Sequence, residues 1–190
     1  MQEIRRYSLS ARVLAVILFA ALLYAPAAIA APKEGDQLPK ITLAKPGDSS
    51  QREYLGLSGW GSFSVTDIKA RIVLIEFFSM YCPHCQAEAP ATRELYALVQ
   101  ADRKLKDTVR LIGIGIGNSD FEVNLFRKKY SVPFPLFSDD DYAIQEKLKI
   151  QYTPHYVAVR IEGNGRARVV YSRSGGMNNP KELIDILSRL

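Results

Sequence analysis

Two cysteines that could carry redox chemistry stand three residues apart in the segment Cys82-Pro83-His84-Cys85. Residues i and i+3 at a helix start lie on one face, close enough for an unstrained disulfide. The unpaired N–H groups and the positive dipole end of a first helical turn would stabilise the Cys82 thiolate. Pro83 suits that turn because its missing N–H is not needed, and a cationic His84 would stabilise the thiolate further. A stable thiolate makes the disulfide a stronger oxidant.

A buried strand and a helix must position this pair. The run from Ile72 to Phe78 is apolar except at Glu76, which predicts a central strand, and it breaks at Ser79. The segment from Gln86 to Gln100 is rich in helix-forming residues. We therefore expect the two cysteines where a central strand leads into the first turn of a helix.

Two carboxyl groups are candidates to exchange protons with Cys85. Glu76 lies six positions before Cys82 in the apolar strand. Burial would raise its pKa and allow it to trade a proton with Cys85, whereas the alternative is a glutamate at a strand edge or bridged by water. Glu88 lies three residues after Cys85 on the same helix face, where the alternative is an ordinary surface side chain.

A further strand and helix are predicted after the motif helix. Val109 to Ile116 is expected to form a strand, and Asp120 to Tyr130 a helix with Phe121, Leu125 and Phe126 on its inner face. The run GIGIG at the end of that strand lacks the G-x-G-x-x-G spacing, and its glycines alternate with isoleucines as in a strand. A nucleotide-binding loop is therefore not favoured.

The remaining elements complete a predicted α/β fold. Tyr142 to Lys149 is expected to be a short helix, and Pro180 to Leu190 an amphipathic one. The runs 155–161 and 167–172 flank the turn sequence Gly163-Asn164-Gly165, which predicts an antiparallel hairpin. This order of elements predicts a central mixed β-sheet flanked by helices on both faces.

The N-terminal residues 1–30 have the pattern of a signal peptide. Three arginines near the start precede eleven apolar or small residues from Val13 to Leu23, and Ala28-Ile29-Ala30 supplies the small residues for cleavage after Ala30. The twenty uncharged residues before Lys33 are long enough to span a bilayer, so an uncleaved membrane anchor is the alternative. In either case the folded part is expected outside the cytoplasm.

The rest of the chain is expected to divide into two parts. Residues 31–62 are rich in Pro, Gly, Ser and Lys and are predicted to be an N-terminal extension, with Leu38 to Leu43 as its only strand. Residues 63–190 are predicted to form the main domain, which has a usual size for one hydrophobic core.

The motif region resembles a known superfamily. The strand, the C-x-x-C pair and a helix interrupted by Pro90 are similar to thioredoxin-like proteins, and residues 76–85 resemble the active-site segment of DsbA-type disulfide oxidases. The segments 63–69, 88–90 and 152–154 resemble the extracytoplasmic TlpA/ResA (redoxin) group. The resemblance implies a thioredoxin-like fold with a strand-helix insertion after the motif helix. It also implies an enzyme, a thiol-disulfide oxidoreductase of the periplasm or another extracytoplasmic compartment.

The resemblance also implies roles for single residues. Cys82 would attack a disulfide and Cys85 would resolve the mixed disulfide, with Pro83 and His84 tuning the pair. Thr153 and Pro154 would shape the groove for a substrate peptide, since this proline is cis in the family. Glu76 corresponds to the buried acid of thioredoxin-like proteins, and Glu88 to a position in TlpA/ResA-like reductases.

The sequence leaves the direction of electron transfer open. The Pro-His dipeptide favours an oxidase, whereas the TlpA-like body and Glu88 favour a reductase, as in cytochrome c maturation. The expected substrates are protein thiols or disulfides, and either direction requires a membrane redox partner. No cofactor is implied, and a monomer is expected because no separate dimerisation segment is visible.

Composition and cysteine content limit the other classes of function. The net charge of +5 is weak and dispersed, which does not favour nucleic-acid binding. Cys82 and Cys85 with His155, or less easily His84, could bind copper or zinc, but a full set of ligands is lacking, so no metal site is predicted. A peroxiredoxin-like peroxidase is the other alternative, although Ser79 stands where that pattern has threonine.

Overall fold

Two short strands open the part of the chain that the computed structural model describes, which is residues 30–177 and 179–190. They are β1 (Thr42–Ala44) and β2 (Ser62–Ser64), and they pair antiparallel. The predicted leader lies outside the described residues, apart from Ala30. No helix within the described ranges is long and apolar enough to cross a membrane.

The central sheet is mixed and holds the remaining strands of the described chain. Their bounds are Ile72–Phe78 (β3), Val109–Ile116 (β4), Leu136–Asp139 (β5), His155–Glu162 (β6) and Arg166–Ser174 (β7). The strand order is β5-β4-β3-β6-β7, with β3 parallel to β4 and antiparallel to β6. The predicted hairpin is confirmed, because β6 and β7 pair antiparallel.

Helices cover both faces of this sheet, which confirms the predicted α/β architecture. The α-helices of the described residues are α1 (Ser49–Leu55), α2 (Pro83–Ala101), α3 (Leu105–Thr108), α4 (Asp120–Tyr130), α5 (Ala143–Leu148) and α6 (Pro180–Arg189). The predicted strand-helix unit after the motif helix is present as β4 and α4. The final helix buries Leu183 and Leu187 on one face, as its amphipathic pattern predicted.

The alternating side chains of β3 divide the hydrophobic core into two clusters. Ile75 and Phe77 pack in a cluster with the N-terminal segment, α1 and α5. Leu74 and Phe78 pack in a second cluster with α2, α4 and α6. Glu76 follows the same alternation as Leu74 and Phe78, so its carboxyl group lies on the α2 side of the sheet.

The N-terminal segment runs along the outer edge of β7. The N–H of Gly35 donates to the Val169 carbonyl at 2.9 Å, and the N–H of Val169 donates to the Asp36 carbonyl at 2.8 Å. The N–H of Leu38 donates to the Ala167 carbonyl, also at 2.8 Å. The main chain of residues 35–38 thereby satisfies hydrogen-bonding groups that β7 would otherwise present to solvent.

In the predicted N-terminal extension, one strand prediction is wrong in extent and one helix was missed. The strand predicted over 38–43 is found at Thr42–Ala44, and α1 was not predicted. Asp48 caps α1 by accepting a hydrogen bond from the Ser50 N–H at 2.8 Å. Leu55 is the one fully buried residue of α1, so this helix lacks the repeating apolar pattern from which a helix is predicted.

The inner face predicted for α4 is confirmed for Phe126 but wrong for Phe121 and Leu125. Phe121 is 76% exposed and Leu125 is 43% exposed, whereas Val123 and Phe126 are buried. The ring of Phe126 packs on that of Phe78, with 4.6 Å between the ring centroids. Apolar side chains occur on both sides of this helix, and contact with the sheet selects the side that contains Phe126.

Candidate active site

The two cysteines occupy the start of α2, as predicted. Cys82 is the N-cap residue, Pro83 is the first helical residue, and the Cys82 Sγ accepts a hydrogen bond from the Cys85 N–H at 3.3 Å. Both side chains are free thiols, with Cys82 partly exposed and Cys85 buried. The accessible sulfur is therefore the one that the helix N-terminus stabilises.

Hydrogen bonds around Cys82 favour its thiolate. Burial alone would raise the pKa of Cys82, but hydrogen bonds from the Thr153 side chain and from Cys85 outweigh it and lower the pKa. The backbone N–H of His84 adds to this effect, while the His84 side chain is exposed. Such a sulfur is ionised more readily than an ordinary cysteine and is a better nucleophile near neutral pH.

Thr153 and Pro154 lie against the cysteine pair although they are distant in sequence. The Cys82 thiol donates to the Thr153 carbonyl at 3.3 Å, and the Thr153-Pro154 peptide bond is cis. The Pro154 carbonyl accepts from the Gly175 N–H at 2.9 Å. The preceding Tyr152 is 70% exposed, so the chain next to Thr153 lies at the surface.

Glu76 is buried on the α2 side of the sheet, next to Tyr156. Its side chain is 5% exposed, and its partner across the sheet is Tyr156, whose hydroxyl donates to Glu76 Oε1 at 3.4 Å. Burial raises the pKa of Glu76 to about 8, the charge of Glu88 adds to the rise, and the Tyr156 hydrogen bond opposes it. This carboxyl group can therefore gain or lose a proton near neutral pH.

Glu88 lies on α2 at the margin of the same buried region. Burial raises its pKa, and a hydrogen bond from the Met177 N–H opposes the rise. Burial also raises the pKa of the Tyr156 phenol, and the charges of Glu76, Glu88 and Cys85 raise it further. These carboxyl and thiol groups thus surround one buried hydroxyl, close enough to influence each other's ionisation.

Four side chains that contact this site were not singled out from the sequence. They are Thr92, Tyr156, Gln86 and Asn118. Thr92 Oγ1 lies 3.2 Å from the Tyr156 hydroxyl, and the other two bind the backbone of the loop before Cys82. The Tyr156 contact depends on its register opposite Glu76, which the sequence does not display.

The structure does not favour the metal-binding alternative. His155 is buried, and its Nε2 lies 3.0 Å from Ser172 Oγ rather than beside the cysteines. Within residues 30–177 and 179–190, no group of three or more His, Cys, Asp or Glu side chains could hold a metal ion.

Comparison with curated proteins gives relatives of the same kind. ResA, a thiol-disulfide oxidoreductase of Halalkalibacterium halodurans, is 22% identical over 136 residues, which span 72% of this chain and 72% of that protein. The ResA of Bacillus subtilis is 25% identical over 99 residues, about half of each chain at 52%.

Solved structures show the same fold. The crystal structure of StoA from Bacillus subtilis matches with a TM-score of 0.53 and 20% identity, over 67% of this chain and 90% of that one. A secreted Mycobacterium tuberculosis disulfide oxidoreductase homologous to Escherichia coli DsbE matches with a TM-score of 0.53 and 23% identity, over 69% of this chain and 90% of that one.

The family match covers most of the chain, including β1 to β7 and the cysteine pair. Residues 35–175 match the family model that is described as the AhpC/TSA family. The resemblance read from the sequence is confirmed by this match, by the ResA relatives and by the shared fold. The chain belongs to the AhpC/TSA family, as a TlpA/ResA-like thiol-disulfide oxidoreductase with a thioredoxin-like fold.

Proposed function

We propose that this protein exchanges the Cys82-Cys85 disulfide with protein thiols outside the cytoplasm. The observation that carries the proposal is the asymmetry of the pair: the Cys82 sulfur is accessible and hydrogen-bonded at a helix N-terminus, whereas Cys85 is buried. This arrangement suits an attacking sulfur and a resolving sulfur.

In the reducing direction, the Cys82 thiolate attacks one sulfur of a substrate disulfide and expels the other as a thiolate. The Cys85 thiol then loses its proton and attacks the Cys82 sulfur. The mixed disulfide breaks, the second substrate sulfur leaves as a thiolate, and two electrons have passed to the substrate. In the oxidising direction the same steps run in reverse, beginning with a substrate thiolate that attacks Cys82.

A proton acceptor is needed when Cys85 attacks, because burial raises the pKa of its thiol. We assign this role to Glu76, with Glu88 as a second acceptor at the margin of the site. Their raised pKa values support the assignment, since a carboxyl group that titrates near neutral pH can both accept and return a proton.

The substrate would bind across Thr153 and Pro154, beside the accessible sulfur. The contact between Cys82 and the Thr153 carbonyl supports this position. The secreted Mycobacterium tuberculosis relative and the signal pattern of residues 1–30 support an extracytoplasmic location for the domain predicted over 63–190. A membrane redox partner would then restore the working oxidation state of the pair.

The direction is tested by the reduction potential of the cysteine pair, measured by equilibration with glutathione buffers. A potential near about −120 mV would identify a disulfide donor, and one of about −220 mV or lower would identify a reductase. Absence of any exchange with glutathione would contradict both directions.

The residue roles are tested by trapping the mixed disulfide. A Cys85→Ala variant should accumulate a covalent complex with a disulfide-bonded peptide, because nothing resolves it, and dithiothreitol should release the peptide. The matched Cys82→Ala variant should form none. Trapping by the Cys82→Ala variant instead would reverse the assignment of the two sulfurs.

A further inference from the structure

The peptide backbone of Met80 is held by two side-chain amides, just before the nucleophile. Asn118 Oδ1 accepts the Met80 N–H at 2.8 Å, and Gln86 Nε2 donates to the Met80 carbonyl at 2.7 Å. The adjacent Ser79 carbonyl accepts the Cys82 N–H at 3.0 Å. The loop that leads into Cys82 is therefore fixed on one side by the connection after β4 and on the other by α2.

Asn118 is built into the fold for this contact. Its side chain is fully buried, and its Nδ2 donates to the Gly117 carbonyl at 3.1 Å and to Ser79 Oγ at 3.4 Å. A buried amide is tolerated only when it is hydrogen-bonded in this way. Its neighbour Gly115 leaves the necessary space, since a Cβ there would lie 3.1 Å from Asn118 Oδ1 and 2.8 Å from a Val123 methyl. The glycine-rich run of β4 thus makes room for Asn118.

We propose that Asn118 and Gln86 are positioning residues that keep the Cys82 sulfur in its hydrogen-bonded place at the start of α2. This inference rests on the exchange reaction proposed for Cys82. If either amide is removed, one polar group of Met80 loses its partner and the loop can shift. The Cys82 sulfur then aligns less well with the Cys85 N–H, so its thiolate is less stable and reacts more slowly.

The test measures the reactivity of Cys82 in a Cys85→Ala protein, so that one thiol remains. Iodoacetamide alkylation is followed against pH with and without Asn118→Ala or Gln86→Leu. We expect each second substitution to raise the midpoint by about one pH unit, which makes alkylation below the midpoint about tenfold slower. The other titratable groups beside this loop, His84 and the hydrogen-bonded Tyr81 and Glu122, are unchanged throughout.

A matched control separates positioning from general loss of stability. Val109→Ala removes buried side-chain volume at the opposite end of β4 and should destabilise the fold without moving the midpoint. Gln86 is only partly buried, so its variant decides the matter if Asn118→Ala does not fold. An unchanged midpoint in the folded variants, or an equal shift in Val109→Ala, would overturn the proposal.

The two proposals fail in different ways. Alkylation needs no redox partner, whereas exchange is measured separately with oxidised glutathione. If the Cys85→Ala protein is alkylated with a low midpoint but the wild-type protein does not exchange with oxidised glutathione, the proposed function fails. The positioning role is still tested by the variants. If the wild-type protein exchanges normally and the second substitutions leave the alkylation midpoint of the Cys85→Ala protein unchanged, only the positioning role fails.

Discussion

Replacement of Glu76 by glutamine should remove a large part of the pH dependence of stability. Glu76 is buried, and its pKa is raised from 4.5 to about 8. A folded-state pKa above the unfolded one means that the folded protein holds the proton more tightly. The stabilisation is therefore fully present below about pH 4.5 and is lost as the pH rises through about 8.

The size of the effect follows from the two pKa values. Each pKa unit corresponds to about 1.4 kcal/mol, so the wild-type protein should lose about 3 kcal/mol of unfolding free energy through Glu76 between about pH 5 and pH 8. The Glu76→Gln side chain cannot ionise, so the variant should escape this loss. Between about pH 5 and pH 8, the unfolding free energy of the Glu76→Gln variant should therefore rise by that amount relative to the wild-type protein.

Urea unfolding of the reduced proteins at several pH values measures this difference. Other titrating groups are common to both proteins and largely cancel. Glu94→Gln provides the control, because Glu94 is exposed on α2 and replacing an exposed side chain should change the stability little. If Glu76→Gln and the wild-type protein lose the same stability between pH 5 and pH 8, burial does not keep Glu76 protonated. Its assignment as a proton acceptor for Cys85 would then fail too.

Three further predictions test the packing and the buried polar contacts. Phe126→Ala should lower the unfolding free energy by about 3 kcal/mol, and Phe121→Ala by less than about 0.5 kcal/mol, because only Phe126 is buried. Equal losses for the two variants in urea unfolding would contradict the observed face of α4. Tyr156→Phe removes the hydroxyl that lowers the pKa of Glu76, so the loss of unfolding free energy with rising pH should move to higher pH in the same urea experiments. If that loss occurs at the same pH as in the wild-type protein, this hydrogen bond does not stabilise the carboxylate. Gly113→Ala should cost about 1 to 3 kcal/mol, because its methyl group would overlap a β5 side chain; a neutral result in thermal unfolding would mean that the neighbour moves aside easily.

The elements that carry the cysteines could be predicted because their signals are local. The strand Ile72–Phe78 is a run that is apolar except at Glu76, and the strand Val109–Ile116 and the helix Asp120–Tyr130 have the bounds that the sequence predicted. Both cysteines and Pro83 lie within four residues, and proline favours the first turn of a helix, so the place of the pair at the start of α2 also follows from the sequence.

The features that could not be predicted depend on distant parts of the chain. The phase of α4 is set by the contact of Phe126 with Phe78, and both sides of that helix carry apolar residues. The position of Tyr156 beside Glu76 requires the register of β6 against β3. Asn118 follows a glycine-rich strand, and in the sequence it looks like an ordinary turn residue. Its contact with Met80 depends on the parallel pairing of β3 with β4.

The main-chain pairing of residues 35–38 with β7 has a consequence for the behaviour of the protein at high concentration. An open edge strand offers free hydrogen-bonding groups to the edge of another molecule, which is a common route to aggregation. In this protein the N-terminal extension occupies that edge through Gly35, Asp36 and Leu38. A protein shortened to begin at Phe63 would lose this main-chain pairing together with buried Leu38 and Ile41. We therefore expect such a shortened protein to aggregate at lower concentrations than one that keeps residues 31–62.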